Sequence, residues 1–207
     1  MTRLERPATT RIPLVESLEV LRSARRDDEV VITTMGSARE WMKLGHPHPL
    51  DLILVPSAMG HGTSIGLGLA LARPERRVIV CSGDGSLLMN LGSLASIVAA
   101  RATNLVVILF DNGVYEVTGQ QPTAGSSAAR EGRGVDFVGV AKATGFDAVY
   151  GFNDVARWAD GARAALDAAG PTFISLEVEP VVGGTAPHSP GPAPARAQAL
   201  MRALGNR

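Results

Sequence analysis

Six short apolar runs, rich in Val and Ile, constrain this chain more than any other feature. They read "EVVITT" (29–34), "LILV" (52–55), "RVIVCS" (77–82), "LVVILF" (105–110), "DAVYG" (147–151) and "TFISLEVE" (172–179). A strand with one wet face alternates apolar and polar residues, whereas a strand covered on both faces is apolar almost throughout. Between the runs lie segments with helical apolar spacing, at 14–25, 37–43, 62–72, 87–101, 135–144 and 153–169. Strand and helix taking turns predict an α/β fold: a doubly wound, mostly parallel six-stranded sheet with helices on both faces. Residues 1–180 are expected to form this unit. Residues 181–207 are read as a Pro/Gly-rich arm ending in a short helix at 195–204.

Composition removes several classes of function. Twenty Lys+Arg balance twenty Asp+Glu and no basic run stands out, so nucleic acid is not expected as a partner. No apolar run reaches the roughly 18–20 residues that a membrane-spanning helix requires. The start, "MTRLERPATTR", lacks the apolar stretch of a secretory signal, and the one cysteine, Cys81, can form no internal disulfide. A cytoplasmic protein is expected, with Cys81 an inert thiol inside a strand.

Chemistry concentrates where the third run ends, in "VIVCSGDGSLLMN" (78–90). A glycine-rich turn leading into a helix usually receives an anion, because free N–H groups and the helix dipole point there. A carboxylate, Asp84, nevertheless sits in the middle of the turn. A helix of about 15 residues, roughly 22 Å long, would carry the chain back so that the next strand runs parallel to the first. Asp84 and Asn112, 28 positions apart, would then share one sheet edge, the edge where open α/β folds bind ligands. A carboxylate and an amide oxygen form a hard donor pair suited to Mg²⁺, which keeps waters and substrate phosphates as its other ligands. A cation on Asp84 bridging to a diphosphate reconciles the acid with the anion-binding turn. Gly83 and Gly85 would let the backbone approach the phosphates.

"GDGS", followed 28 residues after its aspartate by "DNGVY", resembles the thiamine-diphosphate and magnesium motif of the thiamine-dependent decarboxylases and carboligases. The resemblance implies metal ligation by Asp84, the side chain of Asn112 and the main-chain carbonyl of Val114. Asp111 stands where that family often carries a second Asn. "VPSAMGHGTSIGLGLALA" (55–72) is similar to the family's preceding loop and helix. By that likeness Met59 props the bent cofactor and the carbonyl of Ser57 meets its aminopyrimidine. Gly36 and Ser37, in "VITTMGSAREW" (31–41), would approach the diphosphate from the opposite side, and Gly83, Gly85, Ser86, Tyr115 and Val117 would complete the cofactor contacts. With "GQQPTAG" (119–125), these stretches look most like the sulfopyruvate and phosphonopyruvate decarboxylases.

In that family a glutamate on a separate pyrimidine-binding domain activates the cofactor, and no glutamate here lies in a comparable context. The resemblance therefore implies the diphosphate-binding subunit of a two-subunit enzyme, which joins a pyrimidine-binding partner subunit and self-associates. The implied reaction takes a small 2-oxo acid and releases CO₂ and an aldehyde. An acetolactate-type carboligase subunit, a non-catalytic cofactor-binding or regulatory subunit and a generic nucleotide-diphosphate binder remain open alternatives. His61 is a candidate proton donor or anion partner, and Glu116 a candidate proton carrier; both have packing or loop roles as rivals. Gln120, Gln121 and the small-residue segment 123–134 are candidates for closing over substrate. Arg39, Lys43, Arg130 and Arg133 are the cations available for a second substrate anion.

Overall fold

A computed structural model describes residues 11–45, 47–55, 59–127 and 134–205. The order of elements is α1 (Leu14–Ala24), β1 (Val30–Thr34), α2 (Met35–Lys43), β2 (Asp51–Leu54), α3 (Gly62–Ala72), β3 (Val78–Gly83), α4 (Asp84–Leu88), α5 (Ser93–Ala99) and β4 (Leu105–Asp111). A small hairpin of two-residue strands, β5 (Val114–Tyr115) and β6 (Gln121–Pro122), joined through a 3₁₀ turn at Glu116–Thr118, follows. Then come α6 (Phe137–Thr144), β7 (Ala148–Phe152), α7 (Val155–Asp167), β8 (Thr172–Glu177) and α8 (Ala193–Ala203).

Six strands form one sheet in the order β2-β1-β3-β4-β8-β7, and every neighbouring pair is parallel. The side-chain period of two divides each apolar run between two cores. Val78, Val80, Leu105, Val107, Leu109 and Phe173 face a core shared with α3, α4, α5, α6 and α8. Ile79, Cys81, Val106, Ile108, Ile174 and Leu176 face the other, against α1, α2 and α7. This two-sided burial is why the runs carry so few polar residues.

The long helix expected at 87–101 is two helices. Helical structure begins at Asp84, just after the extended Gly83, and α4 ends at Leu88. Tighter turns, with Asn90 N–H on the Leu87 carbonyl and Ser93 N–H on the Asn90 carbonyl, then lead into α5. Asn90 and Gly92 are poor helix formers, and the Asn90 side chain is bonded outside the helix, to the Gly60 carbonyl at 2.8 Å and to Ser64 Oγ at 3.2 Å. The crossover still returns the chain to a parallel β4.

After β8, residues 180–192 form no helix or strand, and α8 starts two residues before its expected position. Leu200 and Leu204 join the same core as the sheet. Arg196 donates to the carbonyls of Ile53 and Val55, so this helix covers the open edge at β2.

Candidate functional site

The strand order reverses between β1, which leads outward to β2, and β3, which leads the other way to β4. In doubly wound sheets a crevice opens outside the carboxyl ends of the strands at such a point. A cavity lies there, lined by residues 34–37, 83–86 and 114–118, by Met59 and Asn112, and by Leu14, Phe110 and Val178 as an apolar wall. Thr34 Oγ1 donates to the Cys81 carbonyl at 3.0 Å and fixes the end of β1 against β3. Ser37 Oγ donates to the Thr34 carbonyl at 2.7 Å and accepts from Thr34 N–H at 3.2 Å. Met35, the first residue of α2, holds a positive φ of 51° where the chain turns directly out of β1.

Asp84 is 1% exposed at the floor of this cavity. Thr123 Oγ1 donates to its Oδ2 at 2.7 Å, and the nearby main-chain N–H groups of Gly85, Asp84 and Asn112 favour its charged form. Burial pushes its carboxyl above the ordinary range against these donors. The start of the short α4 therefore carries an acid of its own beside the N–H groups that would face an external anion. Burial, and next the Asp84 charge, push neighbouring Asp111 up to about 7 despite Arg11. Neither acid forms an ion pair among the described residues. Two neighbouring buried acids without a salt bridge among the described residues leave a local excess of negative charge that Arg11 only partly offsets.

Gly83 pairs with Phe110 in the parallel register of β3 and β4, which puts Asp84 and Asn112 at one sheet edge. Asn112 Oδ1 accepts from Val114 N–H at 2.9 Å, and its Nδ2 donates to Glu116 Oε1 at 2.8 Å. Val114 stands opposite Pro122 in the hairpin, and Pro has no N–H to give its carbonyl. Gly85 and Gly36 form close walls: a Cβ on Gly85 would lie 2.5 Å from the Tyr115 ring, and one on Gly36 would lie 3.0 Å from Glu116 Oε2. The Met59–Gly60 turn is held from α4 and the turn after it, with Gly60 N–H on Ser86 Oγ at 2.9 Å and Asn90 Nδ2 on the Gly60 carbonyl.

Residues 34–176 match the family model for the C-terminal, TPP-binding domain of thiamine pyrophosphate enzymes. The chain belongs to that family. Phosphonopyruvate decarboxylase of Streptomyces viridochromogenes is 40% identical over 171 residues, which cover 83% of this chain and 40% of that protein. Sulfopyruvate decarboxylase subunit beta of Methanothermobacter thermautotrophicus is 37% identical over 156 residues, 74% of this chain and 76% of the subunit. The thiamine diphosphate-dependent 4-hydroxybenzoylformate decarboxylase of Rhodococcus jostii RHA1 shares the fold, with a TM-score of 0.66, 21% identity, and coverage of 86% of this chain and 35% of that one. This TPP-binding domain thus spans about two fifths of the phosphonopyruvate decarboxylases that it matches.

The residues present fit the family's cofactor. Of the expected cofactor and metal contacts, Gly36, Ser37, Met59, Gly83, Asp84, Gly85, Ser86, Asn112, Val114, Tyr115 and Val117 line this cavity, as does the candidate proton carrier Glu116, and Ser57 lies outside the described residues. Gly85 and Gly36 let Tyr115 and Glu116 pack closely against the turns that line the cavity, and the buried acids ask for a cation. No three His, Cys, Asp or Glu side chains gather as a metal cage among the described residues, so a cation here would depend on amide and main-chain oxygens as well.

His61 does not join this cavity. It is exposed at the start of α3, its Nδ1 2.9 Å from the Met59 carbonyl oxygen. Glu116 lines the cavity with both oxygens engaged: Oε2 takes Arg39 Nη2 at 2.8 Å, and Oε1 takes Asn112 Nδ2 and Val181 N–H at 2.8 and 2.9 Å. Arg39 is buried between Glu40 and Glu116 and also donates to the Thr185 carbonyl at 2.8 Å, so it is not available to a substrate anion. Lys43 is exposed beside Glu40, and Arg130 and Arg133 lie outside the described residues.

Sequence reasoning missed Thr34, Met35 and Thr123 as parts of the site. Thr123 was within reach, since it belongs to "GQQPTAG", but a loop threonine gives no sign of the acid that it meets. Nor did anything local reveal that residues 181–185 return to the Arg39–Glu116 pair.

Proposed function

We propose that this chain binds thiamine diphosphate with Mg²⁺ and serves as the diphosphate-binding subunit of a two-subunit 2-oxo acid decarboxylase of the sulfopyruvate/phosphonopyruvate type. The observation that carries the reading is Asp84: a buried acid without a counter-ion, beside a second acid, at the switch point of the sheet. The resemblance to proteins named as beta subunits supports a partner subunit.

Asp84, the Asn112 side chain and the Val114 carbonyl would hold the cation, and the cation would hold the diphosphate. Met59 would support the thiazolium ring from the turn that Ser86 and Asn90 clamp. When bound, thiamine diphosphate supplies the electron sink for cleaving the bond between the 2-oxo carbon and the carboxylate. The chain's own part is orientation: the apolar wall of Leu14, Phe110 and Val178 excludes water, which strengthens charge interactions inside. The activating glutamate is assigned to the partner. With Arg39 committed to two acids, a second substrate anion would be met by other groups.

Isolating the chain with its accompanying subunit and following CO₂ and aldehyde release from sulfopyruvate, phosphonopyruvate and pyruvate tests the reading. Asp84→Ala should abolish both Mg²⁺-dependent cofactor binding and turnover. Full turnover by the variant would refute the site, and turnover by the chain free of other polypeptides would refute the divided enzyme. A carboligation product formed with an added acceptor aldehyde would replace decarboxylation by the carboligase alternative.

A further inference from the structure

Thr123 is wholly buried, and its hydroxyl donates to Asp84 Oδ2 at 2.7 Å. Among the described residues it is the one side chain that bonds that carboxylate, beside nearby main-chain N–H groups that favour its charged form. Its own backbone is fixed from two sides: its N–H bonds the Gly113 carbonyl at 2.9 Å, and its carbonyl takes Ser126 N–H at 3.0 Å. Its methyl lies 3.3 Å from where a Cβ on Gly85 would stand. The residue therefore reaches Asp84 from a separate segment of chain, with no freedom to turn its hydroxyl elsewhere cheaply. A hydroxyl on an ionised carboxylate at this distance is a charge-assisted bond, and it limits rotation of the carboxyl group.

We infer that Thr123 is a positioning residue for the cation: it holds the Asp84 carboxylate in the orientation that a divalent ion at the sheet edge requires. The inference rests on the proposed Mg²⁺ and thiamine diphosphate site and adds to it a residue outside the recognised motif. Groups that orient a metal ligand typically account for about 10–100-fold in metal affinity. Valine keeps the shape of threonine without the donor, and serine keeps the donor without the methyl.

The test titrates thiamine diphosphate calorimetrically into the full chain, with its accompanying subunit, at graded Mg²⁺. Thr123→Val should raise the Mg²⁺ concentration for half-maximal binding about 10–100-fold. At saturating Mg²⁺ its affinity for thiamine diphosphate should return to near the wild-type value. Thr123→Ser should follow the wild type throughout. A role in packing alone would not produce a defect that Mg²⁺ repairs and serine rescues. A wild-type Mg²⁺ requirement in Thr123→Val, or equal defects in the two variants, overturns the inference. Should Thr123→Val not fold, Thr123→Ala against Thr123→Ser makes the same comparison, and equal Mg²⁺ requirements overturn it. If the wild type itself shows no Mg²⁺-dependent binding, the cofactor reading fails and this inference with it; binding by the wild type with an unaltered Thr123→Val defeats only the role of Thr123.

Discussion

Replacing Arg39 by methionine tests how the wall of the cavity is held. The guanidinium bonds Glu40 Oε1 at 2.5 Å, Glu116 Oε2 at 2.8 Å and the Thr185 carbonyl at 2.8 Å. Both glutamate side chains are only 4% exposed. Methionine fills much of the same volume but leaves both acids without the shared cation; Glu40 retains the exposed Lys43, and Glu116 retains two neutral donors. Removing one partner of a buried ion pair costs about 3–5 kcal/mol, because the remaining charge is stranded. For a chain of this size that is a fall in Tm of about 6–20 °C. Arg39→Met/Glu116→Gln should be more stable than Arg39→Met alone, because the neutral amide removes one stranded charge. The pH dependence has a defined sign. Burial raises the Glu40 carboxyl, but Arg39 and Lys43 outweigh it and hold the folded pKa below the ordinary 4.5. A lowered folded pKa contributes stability above the unfolded value, and that stability is lost as pH falls through the folded one. The gap between wild type and Arg39→Met should therefore be full at pH 7 and narrow below about pH 4.5, as Glu40 takes up its proton. Urea unfolding followed by circular dichroism at both pH values measures it. A variant within about 1 kcal/mol of the wild type at pH 7, the range of a surface ion pair, would refute the argument.

Two glycines on α3 should respond in opposite directions. A Cβ on Gly66 would lie 2.2 Å from Val80 Cγ2, so Gly66→Ala should destabilise by about 1–3 kcal/mol, with Val80→Ala in the same chain restoring part of it. Gly68 is exposed with nothing within 4 Å of its added Cβ, so Gly68→Ala should stabilise by about 0.5–1 kcal/mol; denaturant midpoints decide both. Arg196→Ala removes the donors to the Ile53 and Val55 carbonyls, and hydrogen exchange across 51–55 and 193–203 should accelerate without global unfolding. Unchanged protection there would show that Leu200 and Leu204 hold the helix without it.

What the sequence determined by itself was the sheet and the place of its working edge. Runs such as "RVIVCS" and "LVVILF" are apolar throughout because both faces are covered, and that pattern is local enough to read directly. The spacing from Asp84 to Asn112 follows from one helical crossover, so their meeting at adjacent strand ends was legible as well, even though Asn90 and Gly92 break the helix in two. What only the tertiary structure decided was the set of partners that each charged side chain finds. Arg39 and Glu116, 77 positions apart, give no local sign that each neutralises the other in the wall, nor does Thr123 show that it reaches Asp84. His61 follows the Met59 turn in sequence, yet it stands exposed just before α3 with its ring held at the Met59 carbonyl. The difference is physical: periodicity records burial, which the neighbouring residues share, whereas charge pairing depends on distances that exist only once separate segments have been brought together.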